Sequence, residues 1–155
     1  MKILVLNCGS SSIKYQLMDL TNEADVLAKG LLDRVGLENS LLNHKPKDKE
    51  PFKHVQTVKD HITGINLIIE ALTSPEHGVI KSTSEIDAVG HRVVHGGEKF
   101  SGSVIITQEI IDKMEECIDL APLHNPANLQ GIYAITKILP NTSQCGVFDT
   151  AFHQT

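Results

Sequence analysis

The sequence has little cysteine, no excess of basic residues and no long apolar run. Its three cysteines, Cys8, Cys117 and Cys145, form an odd set without paired spacing. This pattern favours neither a disulfide framework nor a zinc site, and it indicates a reducing compartment. The formal net charge of -5 argues against nucleic acid as a partner, because a bound phosphate backbone needs a basic face.

The apolar runs are too short for a membrane or export signal. None reaches the roughly 18 residues of a membrane span, and the N-terminal run of about five residues is shorter than the roughly 7–15 of a signal peptide. Hydrophobic residues make up 41% of the 155 residues and charged ones 21%, as in ordinary soluble domains. We therefore expect a cytoplasmic protein with one core and no membrane or nucleic-acid partner.

The hydrophobic pattern predicts a mixed α/β fold. Strands are expected over 3–6, 12–17, 25–32, 85–97 and 145–148, and helices over 60–72, 107–121 and 125–139. A turn at 8–11 makes the first two strands a hairpin. Asn125 is expected to cap the last helix, with a buried side of Leu129, Ile132, Tyr133 and Ile135. This order of elements predicts a mixed sheet with helices packed on it.

The polar segment 37–56 admits two interpretations. It carries four lysines, Lys45, Lys47, Lys49 and Lys53. These could form an anion-binding patch, or the segment could be a solvated hairpin or loop. We adopt the second interpretation because Asp48 and Glu50 interrupt the positive charge.

The segment 7–14, Asn-Cys-Gly-Ser-Ser-Ser-Ile-Lys, is the first candidate site. Phosphate binding needs a turn with little side-chain bulk, so that N–H groups and hydroxyls can approach the oxygens. Alternation places Ser12 and Lys14 on one strand face beside this turn, and the Asn7 amide oxygen could contact magnesium or its hydration shell. Neither a P-loop nor G-x-G-x-x-G is present. Taken alone, the segment is equally consistent with a serine-rich hairpin turn.

A second candidate site lies in the strand that ends in His-Arg-Val-Val-His-Gly-Gly. Arg92 and Val94 are predicted on one strand face. The planar guanidinium matches a carboxylate, and valine suits a small alkyl group. His91 and His95 fall on the opposite face, where we interpret them as hydrogen-bonded structural residues rather than metal ligands. Taken alone, Arg92 is better explained by a salt bridge.

A third candidate precedes the last helix. His124 stands just before the expected N-cap, where free N–H groups and partial positive charge attract anions. It could donate to a carboxylate or phosphate oxygen, and Leu123 could add to an apolar pocket. An ordinary helix start with a locally packed histidine is the alternative.

The fourth candidate, Asp149, follows the last predicted strand. Open α/β sheets place ligands beyond the carboxyl ends of their strands, and a carboxylate there can hold magnesium or accept a proton. An aspartate that caps the next element is the alternative. We interpret the nearby His153 as structural.

Four segments together resemble the acetate kinase (acetokinase) family: NCGSSSIKYQL, GHRVVHGGEKF, LAPLHNPANLQGI and VFDTAFHQT. They occur in the family's order and span the chain. The resemblance implies a ribonuclease H-like fold of the actin, Hsp70 and sugar kinase type. It also implies a cytoplasmic homodimer that interconverts ATP and acetate with ADP and acetyl phosphate, using Mg²⁺.

The resemblance also implies a role for each matching residue. Asn7 would contact magnesium, Lys14 would contact ATP, and Ser10 and Ser12 would belong to the phosphate-facing loop. Arg92 would bind the substrate carboxylate, with Val94 and Leu123 in its methyl pocket. His124 would face the transferring phosphoryl group, and Asp149 would act as acid/base or organise magnesium. The catalytic residues implied are therefore Asp149, Arg92 and His124.

Length is where the chain departs from this family. We expect residues 1–155 to form part of the N-terminal domain, with a C-terminal nucleotide-binding domain, a second arginine, a histidine and a magnesium-binding glutamate beyond Thr155. The chain alone is then predicted to be inactive. A propionate kinase and a non-catalytic phosphate- or carboxylate-binding domain are the alternatives.

Overall fold

The computed structural model describes residues 1–21, 23–93, 103–108, 111–112 and 125–148. The strands are β1 (Lys2–Cys8), β2 (Ser12–Asp19), β3 (Asp25–Asp33), β4 (Ser40–Pro46), β5 (Phe52–Gln56), β6 (Ala88–Val93), β7 (Ser103–Ile105) and β8 (Ser143–Phe148). The helices are α1 (His61–Thr73) and α2 (Asn125–Ile138), with a 3₁₀ turn at Thr83–Glu85.

These strands form one mixed sheet in the order β5-β4-β3-β2-β1-β6-β8-β7. The first five strands make an antiparallel meander. β6 then pairs parallel to β1, β8 pairs parallel to β6, and β7 closes the far edge antiparallel to β8. The predicted α/β class with a mixed sheet is confirmed.

One face of the sheet is buried beneath the two helices. In β1 and β2, every second side chain enters the core, as period-two alternation requires: Leu4, Leu6, Cys8, Ile13, Tyr15 and Leu17. α1 approaches closely enough that a Cβ on Gly64 would lie 2.9 Å from the Leu32 side chain and 3.0 Å from that of Ile13. Gly131 of α2 faces Cys8 and His91. The core therefore lies between this face and the helices.

An N-cap that the sequence analysis did not predict stands at the start of α1. The Asp60 carboxylate accepts a hydrogen bond from the Thr63 N–H at 2.8 Å, and hydrogen bonding to the side chain and then the backbone of Thr63 lowers the pKa of Asp60. The apolar stripe beyond it is buried at Ile65, Ile68 and Leu72. Among the described residues, no helix combines the length and apolarity needed to cross a bilayer.

Several boundaries differ from the sequence predictions. β6 begins at Ala88, not Glu85, because Glu85 ends a 3₁₀ turn in which its carboxylate accepts from the Lys81 N–H. α2 begins at Asn125, and the residue before it lies outside the described ranges, so the predicted cap at Asn125 stays a prediction. Tyr133 is 36% exposed and lies outside the buried stripe of α2.

Three further outcomes concern strands. β8 starts two residues earlier than predicted, at Ser143, and β7 was not predicted at all. The segment 37–56 contains a hairpin of β4 and β5, as the hairpin alternative predicted. It is not solvated throughout, because Ser40, Leu42 and His44 of β4 are buried. Most of the predicted helix over 107–121 lies outside the described residues, although the Ile111 N–H donates to the Thr107 carbonyl at 2.9 Å.

Candidate functional site

The face of the sheet turned away from α1 and α2 brings three predicted site residues together. Asn7 and Lys14 are direct cross-strand partners in the β1–β2 pair. The β1–β6 pair ends at Leu6 and His91, so the next residues along, Asn7 and Arg92, lie side by side on the opposite face. The register therefore places Arg92, Asn7 and Lys14 in one row on three adjacent strands.

A small cavity opens over this row. Its volume is about 190 Å³, and it is lined by Val5, Asn7, Lys14, Tyr15, Gln16 and Arg92. Lys14 and Arg92 are both exposed, whereas Asn7 is half-buried. Two cations flanking an amide favour a small anion, and the guanidinium offers the fork geometry that a carboxylate matches.

The turn between β1 and β2 is fixed by hydrogen bonds from three directions. The Gly9 N–H donates to the Ser12 carbonyl at 2.8 Å, and the Val35 N–H donates to the Ser11 carbonyl at 2.9 Å. The His61 Nε2–H donates to the Gly9 carbonyl at 2.8 Å. Ser10 remains exposed at the tip, and Ser12 is half-buried. The turn is thus a rigid, low-bulk element beside the cavity, as phosphate contact requires.

His61 is a site-supporting residue that the sequence analysis missed. It is the first residue of α1 and is 9% exposed. The available signal was its position directly after the Asp60 cap, at the start of an amphipathic helix. Its partner, Gly9, is 52 residues away in sequence, and no local pattern reports such a contact.

His91 lies on the face opposite to Arg92, as predicted, and this face is the buried one. It is 2% exposed, its Nε2–H donates to Gln144 Oε1 at 2.7 Å, and burial lowers its pKa to about 4. Gln144 Nε2 donates in turn to Thr136 Oγ1 at 2.9 Å. Burial also raises the pKa of the neighbouring Cys8 thiol to about 12, so Cys8 is not a nucleophile at neutral pH.

The remaining predicted site residues lie outside the described residues. These are Val94, Leu123, His124 and Asp149, and with them His95 and His153. Two of the four follow described strands in the sequence, since β6 ends at Val93 and β8 at Phe148, which pair with each other. β1, β6 and β8 run parallel, so their carboxyl ends meet at one edge of the sheet, beside the turn. Open α/β sheets place their ligands at such an edge.

The described residues offer limited material for a metal ion. Among them, no group of three or more histidine, cysteine, aspartate or glutamate side chains is arranged to hold one. Asn7 supplies one neutral oxygen, and it stands between the cations Lys14 and Arg92. Mg²⁺ usually takes one or two protein oxygens together with water and substrate phosphates. This donor set fits a magnesium ion that arrives with a phosphate, because the phosphate offsets the two nearby positive charges.

Comparisons with known proteins agree with this architecture. The family model described as the acetokinase family matches residues 2–155. An acetate kinase of Caldanaerobacter subterraneus subsp. tengcongensis is 59% identical over 155 residues, which is 100% of this chain and 38% of the relative. An acetate kinase of Clostridioides difficile is 59% identical over 157 residues, which is 100% of this chain and 39% of the relative.

Two solved structures have the same fold. The crystal structure of Porphyromonas gingivalis acetate kinase aligns with a TM-score of 0.93 and 54% identity, over 99% of this chain and 38% of that one. A propionate kinase from Francisella tularensis aligns with a TM-score of 0.83 and 39% identity, over 99% and 38%. These likenesses confirm the predicted ribonuclease H-like fold of the actin, Hsp70 and sugar kinase type. The chain spans less than two fifths of the length of these relatives.

Proposed function

The chain belongs to the acetokinase family, and from that premise we propose that it is the N-terminal part of a cytoplasmic enzyme that moves a phosphoryl group between ATP and acetate. The products are ADP and acetyl phosphate. The observation that carries the proposal is the row of Arg92, Asn7 and Lys14 over one cavity beside a low-bulk turn. The names of the relatives support it, since both are acetate kinases.

Arg92 and Lys14 are assigned different ends of the reaction. The Arg92 guanidinium holds the acetate carboxylate by two parallel hydrogen bonds. Lys14, one strand beyond Asn7, contacts an ATP phosphate, and the turn with Ser10 and Ser12 faces the same phosphates. Phosphoryl transfer depends on positioning and on neutralising the charge of the transferring group, and this cation pair supports both tasks.

Four residues outside the described ranges complete the proposed site. Val94 and Leu123 form the pocket for the methyl group, and His124 donates to the transferring phosphoryl group. Asp149 acts as acid/base or organises magnesium. Asp149 and Val94 each follow directly on the end of a parallel strand of the described sheet, and such strand ends are where open α/β sheets bind ligands.

Magnesium is part of this proposal as the ion that accompanies the nucleotide phosphates. When bound, it neutralises phosphate charge. Asn7 would hold it or its hydration shell through the side-chain oxygen, with Asp149 as the carboxylate candidate. The cations at positions 14 and 92 disfavour a free ion at this place, so we assign its binding to the phosphate complex.

The domain organisation is also proposed from the comparisons. The relatives are more than twice as long as this chain, so we assign residues 1–155 to the N-terminal domain and the adenosine contacts to a C-terminal nucleotide-binding domain. We further propose that the whole enzyme is a homodimer, as the family resemblance implies.

Propionate is the second candidate substrate, because one structural relative is a propionate kinase. One methylene group in an apolar pocket changes binding by only ~1–3 kcal/mol. Relative kcat/KM values for acetate, propionate and butyrate decide between an acetate kinase and a propionate kinase.

A non-catalytic anion-binding domain is the third candidate function. Separate titrations with acetate and with Mg-ATP test it: binding of an anion, together with no turnover by the extended enzyme, would support this candidate.

The decisive experiment joins this chain at Thr155 to the remaining residues of the Clostridioides difficile relative and measures acyl phosphate formed from Mg-ATP and acetate. We expect Arg92→Ala to lower kcat/KM for acetate by roughly 10- to 100-fold, because a hydrogen bond to a charged group contributes ~1.5–3 kcal/mol. The matched control is Arg34→Ala, which removes the other, exposed arginine. Equal losses in both variants would overturn the carboxylate assignment.

A further inference from the structure

The face that carries the candidate site continues outward as a surface rich in lysine. The register extends the site row from Lys14 to Leu31, then to Asn43 and to Lys53 on β3, β4 and β5. A parallel row runs from Gln16 to Lys29 and Lys45. We call Lys29, Lys45 and Lys53 the outer lysines. They lie on three neighbouring strands, about 4.8 Å apart from one strand to the next.

The outer lysines are arranged at an energetic cost. Lys29 and Lys45 are direct cross-strand partners, and like charges in that position destabilise a sheet. Neither is within ion-pair distance of an acidic side chain of the described residues, whereas Lys47 contacts Asp25 at 2.7 Å. The same face does carry Asp33, at the end of β3 beside Ser12. Its carboxylate accepts from the Arg34 N–H at 2.9 Å.

The hairpin divides the four lysines that the sequence presents as one run. Lys47 and Lys49 lie beyond the end of β4, and Lys49 Nζ donates to the Gly78 carbonyl at 2.8 Å. Lys45 and Lys53 sit on the strands and point to the face of the candidate site. Asp48 and Glu50, whose negative charge argued against an anion-binding patch, lie in the turn between β4 and β5. They therefore do not interrupt the positive charge of Lys45 and Lys53 on the face of the candidate site.

A hollow of about 610 Å³ lies between the outer lysines. It shares Lys14, Tyr15 and Gln16 with the candidate cavity. The rest of its lining consists of Lys29, Gly30, Leu31, Asn43, Lys45, Pro51 and Lys53. Leu31 is 37% exposed, and Asn43 offers an amide. The hollow thus has cations on its rim and a largely uncharged floor.

Protection of a sheet edge explains only part of this arrangement. Lysines on an edge strand discourage pairing with other chains, and β5 is an edge strand, which accounts for Lys53. Lys29 and Lys45 are on β3 and β4 inside the sheet, where no strand edge needs protection.

We propose that the outer lysines bind a short linear polyphosphate, at a site that adjoins the transfer site and shares Lys14 with it. A chain of linked phosphates carries a negative charge on each unit, and it can neutralise three cations spaced by adjacent strands. A single carboxylate can meet only one or two of them. The bound ligand also relieves the repulsion between Lys29 and Lys45. This proposal does not depend on the function proposed above.

Calorimetric titration of the chain with sodium tripolyphosphate tests the proposal at 50 and 200 mM salt. We expect the triple variant Lys29→Gln, Lys45→Gln, Lys53→Gln to bind at least tenfold more weakly than the wild-type chain, with a smaller dependence on salt. The matched control is Lys59→Gln, Lys81→Gln, Lys137→Gln, which removes three exposed lysines elsewhere and should bind as the wild type does. Equal weakening in both triple variants would show general charge attraction and overturn the proposal.

Two further variants separate this site from the candidate transfer site. Arg92→Ala should leave tripolyphosphate affinity within about twofold of the wild type, and loss of binding in this variant alone would place the ligand in the transfer site and refute the proposal. Lys45→Gln should raise the thermal midpoint of the free chain slightly and reduce the stabilisation by ligand. An unchanged ligand-induced shift in Lys45→Gln would also refute it.

Discussion

Tyr15, Gly30 and His44 form a row across three adjacent strands, and the glycine in its centre makes the row possible. Tyr15 pairs with Gly30, which pairs with His44. The Tyr15 hydroxyl reaches across Gly30 and donates to His44 Nδ1 at 2.5 Å. His44 Nε2–H donates to the His77 carbonyl at 3.0 Å, so the histidine is held as one neutral tautomer.

Replacing Gly30 is therefore expected to be costly. A Cβ at this position would overlap the Asn43 carbonyl oxygen and the Tyr15 hydroxyl, and overpacking a filled core costs ~1–3 kcal/mol. We expect Gly30→Ala to lower the free energy of unfolding by at least this amount in urea denaturation. The control is Gly90→Ala, where the nearest atom to the new Cβ is Cys145 Sγ at 3.9 Å. A loss in the control as large as that in Gly30→Ala would contradict the steric explanation.

His91 makes the stability of the chain depend on pH. Burial lowers its pKa from 6.5 to about 4, so below pH 6.5 the unfolded chain binds a proton that the folded chain does not. Its contribution is present above pH 6.5 and is lost as the pH falls towards 4. At ~1.4 kcal/mol for each pKa unit, the loss is on the order of 3 kcal/mol.

The measurement for His91 compares unfolding free energies at pH 7.0 and pH 4.5. We expect the drop between these values to be smaller in His91→Gln than in the wild type, whatever the variant costs at neutral pH. His54→Gln, near the edge of the sheet on β5, should keep the full drop. An undiminished drop in His91→Gln would assign the acid sensitivity to other groups.

Single residues differ in how far the sequence reveals them. The positions of Asn7, Lys14 and Arg92 follow from strand alternation, which fixes the face of each side chain once the strand is identified. The contacts of His61 with Gly9 and of Tyr15 with His44 join residues 52 and 29 positions apart. Local patterns carry no information on such pairs, so these contacts emerge only from the fold.

At the scale of elements, the N-terminus of α1 fixes the turn between β1 and β2. Asp60 caps the helix, and the next residue, His61, holds the Gly9 carbonyl. The Gly9 and Val35 N–H groups complete the bonding of the turn. A helix start that is itself capped is a firm support, so the position of the turn depends on α1.

Removing this support should loosen the turn without unfolding α1. A neutral hydrogen bond contributes ~0.5–1.5 kcal/mol, so in His61→Ala we expect the Gly9 and Val35 amides to exchange with solvent roughly 2- to 10-fold faster. His61→Gln keeps a donor and should restore part of the protection. Unchanged exchange at both amides in a folded His61→Ala chain would show that the histidine does not hold the turn.

The predictability of whole elements follows their local chemistry. α1 was predicted because the apolar residues from Ile62 to Leu72 recur at helical spacing. β1 was predicted from the continuous apolar run of residues 3–6, and β2 because apolar and polar residues alternate. β7 spans only Ser103–Ile105 and pairs with β8. Its β-branched run, Val104 to Ile106, is a strand signal that the sequence analysis missed. The predicted strand included Glu85, but in the structure its carboxylate accepts from the Lys81 N–H and the residue ends a 3₁₀ turn before β6.

At the scale of the molecule, the two faces of the sheet have different roles. One is closed by α1 and α2 over an aliphatic core. The other carries Arg92, Asn7 and Lys14, together with the outer lysines. The sequence revealed this asymmetry only in part, because alternation assigns faces within a strand whereas the strand order joins the faces into one surface.

This asymmetry bears on what 155 residues can do alone. Phosphoryl transfer requires the donor, acceptor and metal to be held in line. The described residues present groups suited to a carboxylate and to phosphates, but the sequence shows no motif for an adenine or ribose pocket. The two relatives named as acetate kinases are more than twice as long as this chain. We therefore expect the chain to bind anions and to lack turnover.

Acyl phosphate formation from Mg-ATP and acetate by the chain alone, compared with the chimera that extends past Thr155, tests this expectation. We expect turnover in the chimera and none above background in the chain, which should still show weak acetate binding that Arg92→Ala removes. The two results together would mean that the carboxylate contact resides in these residues and that the adenosine part of ATP is held from outside them. Turnover by the chain alone would mean that 155 residues contain a complete nucleotide site, and the proposed division between an acetate-binding and a nucleotide-binding domain would be wrong.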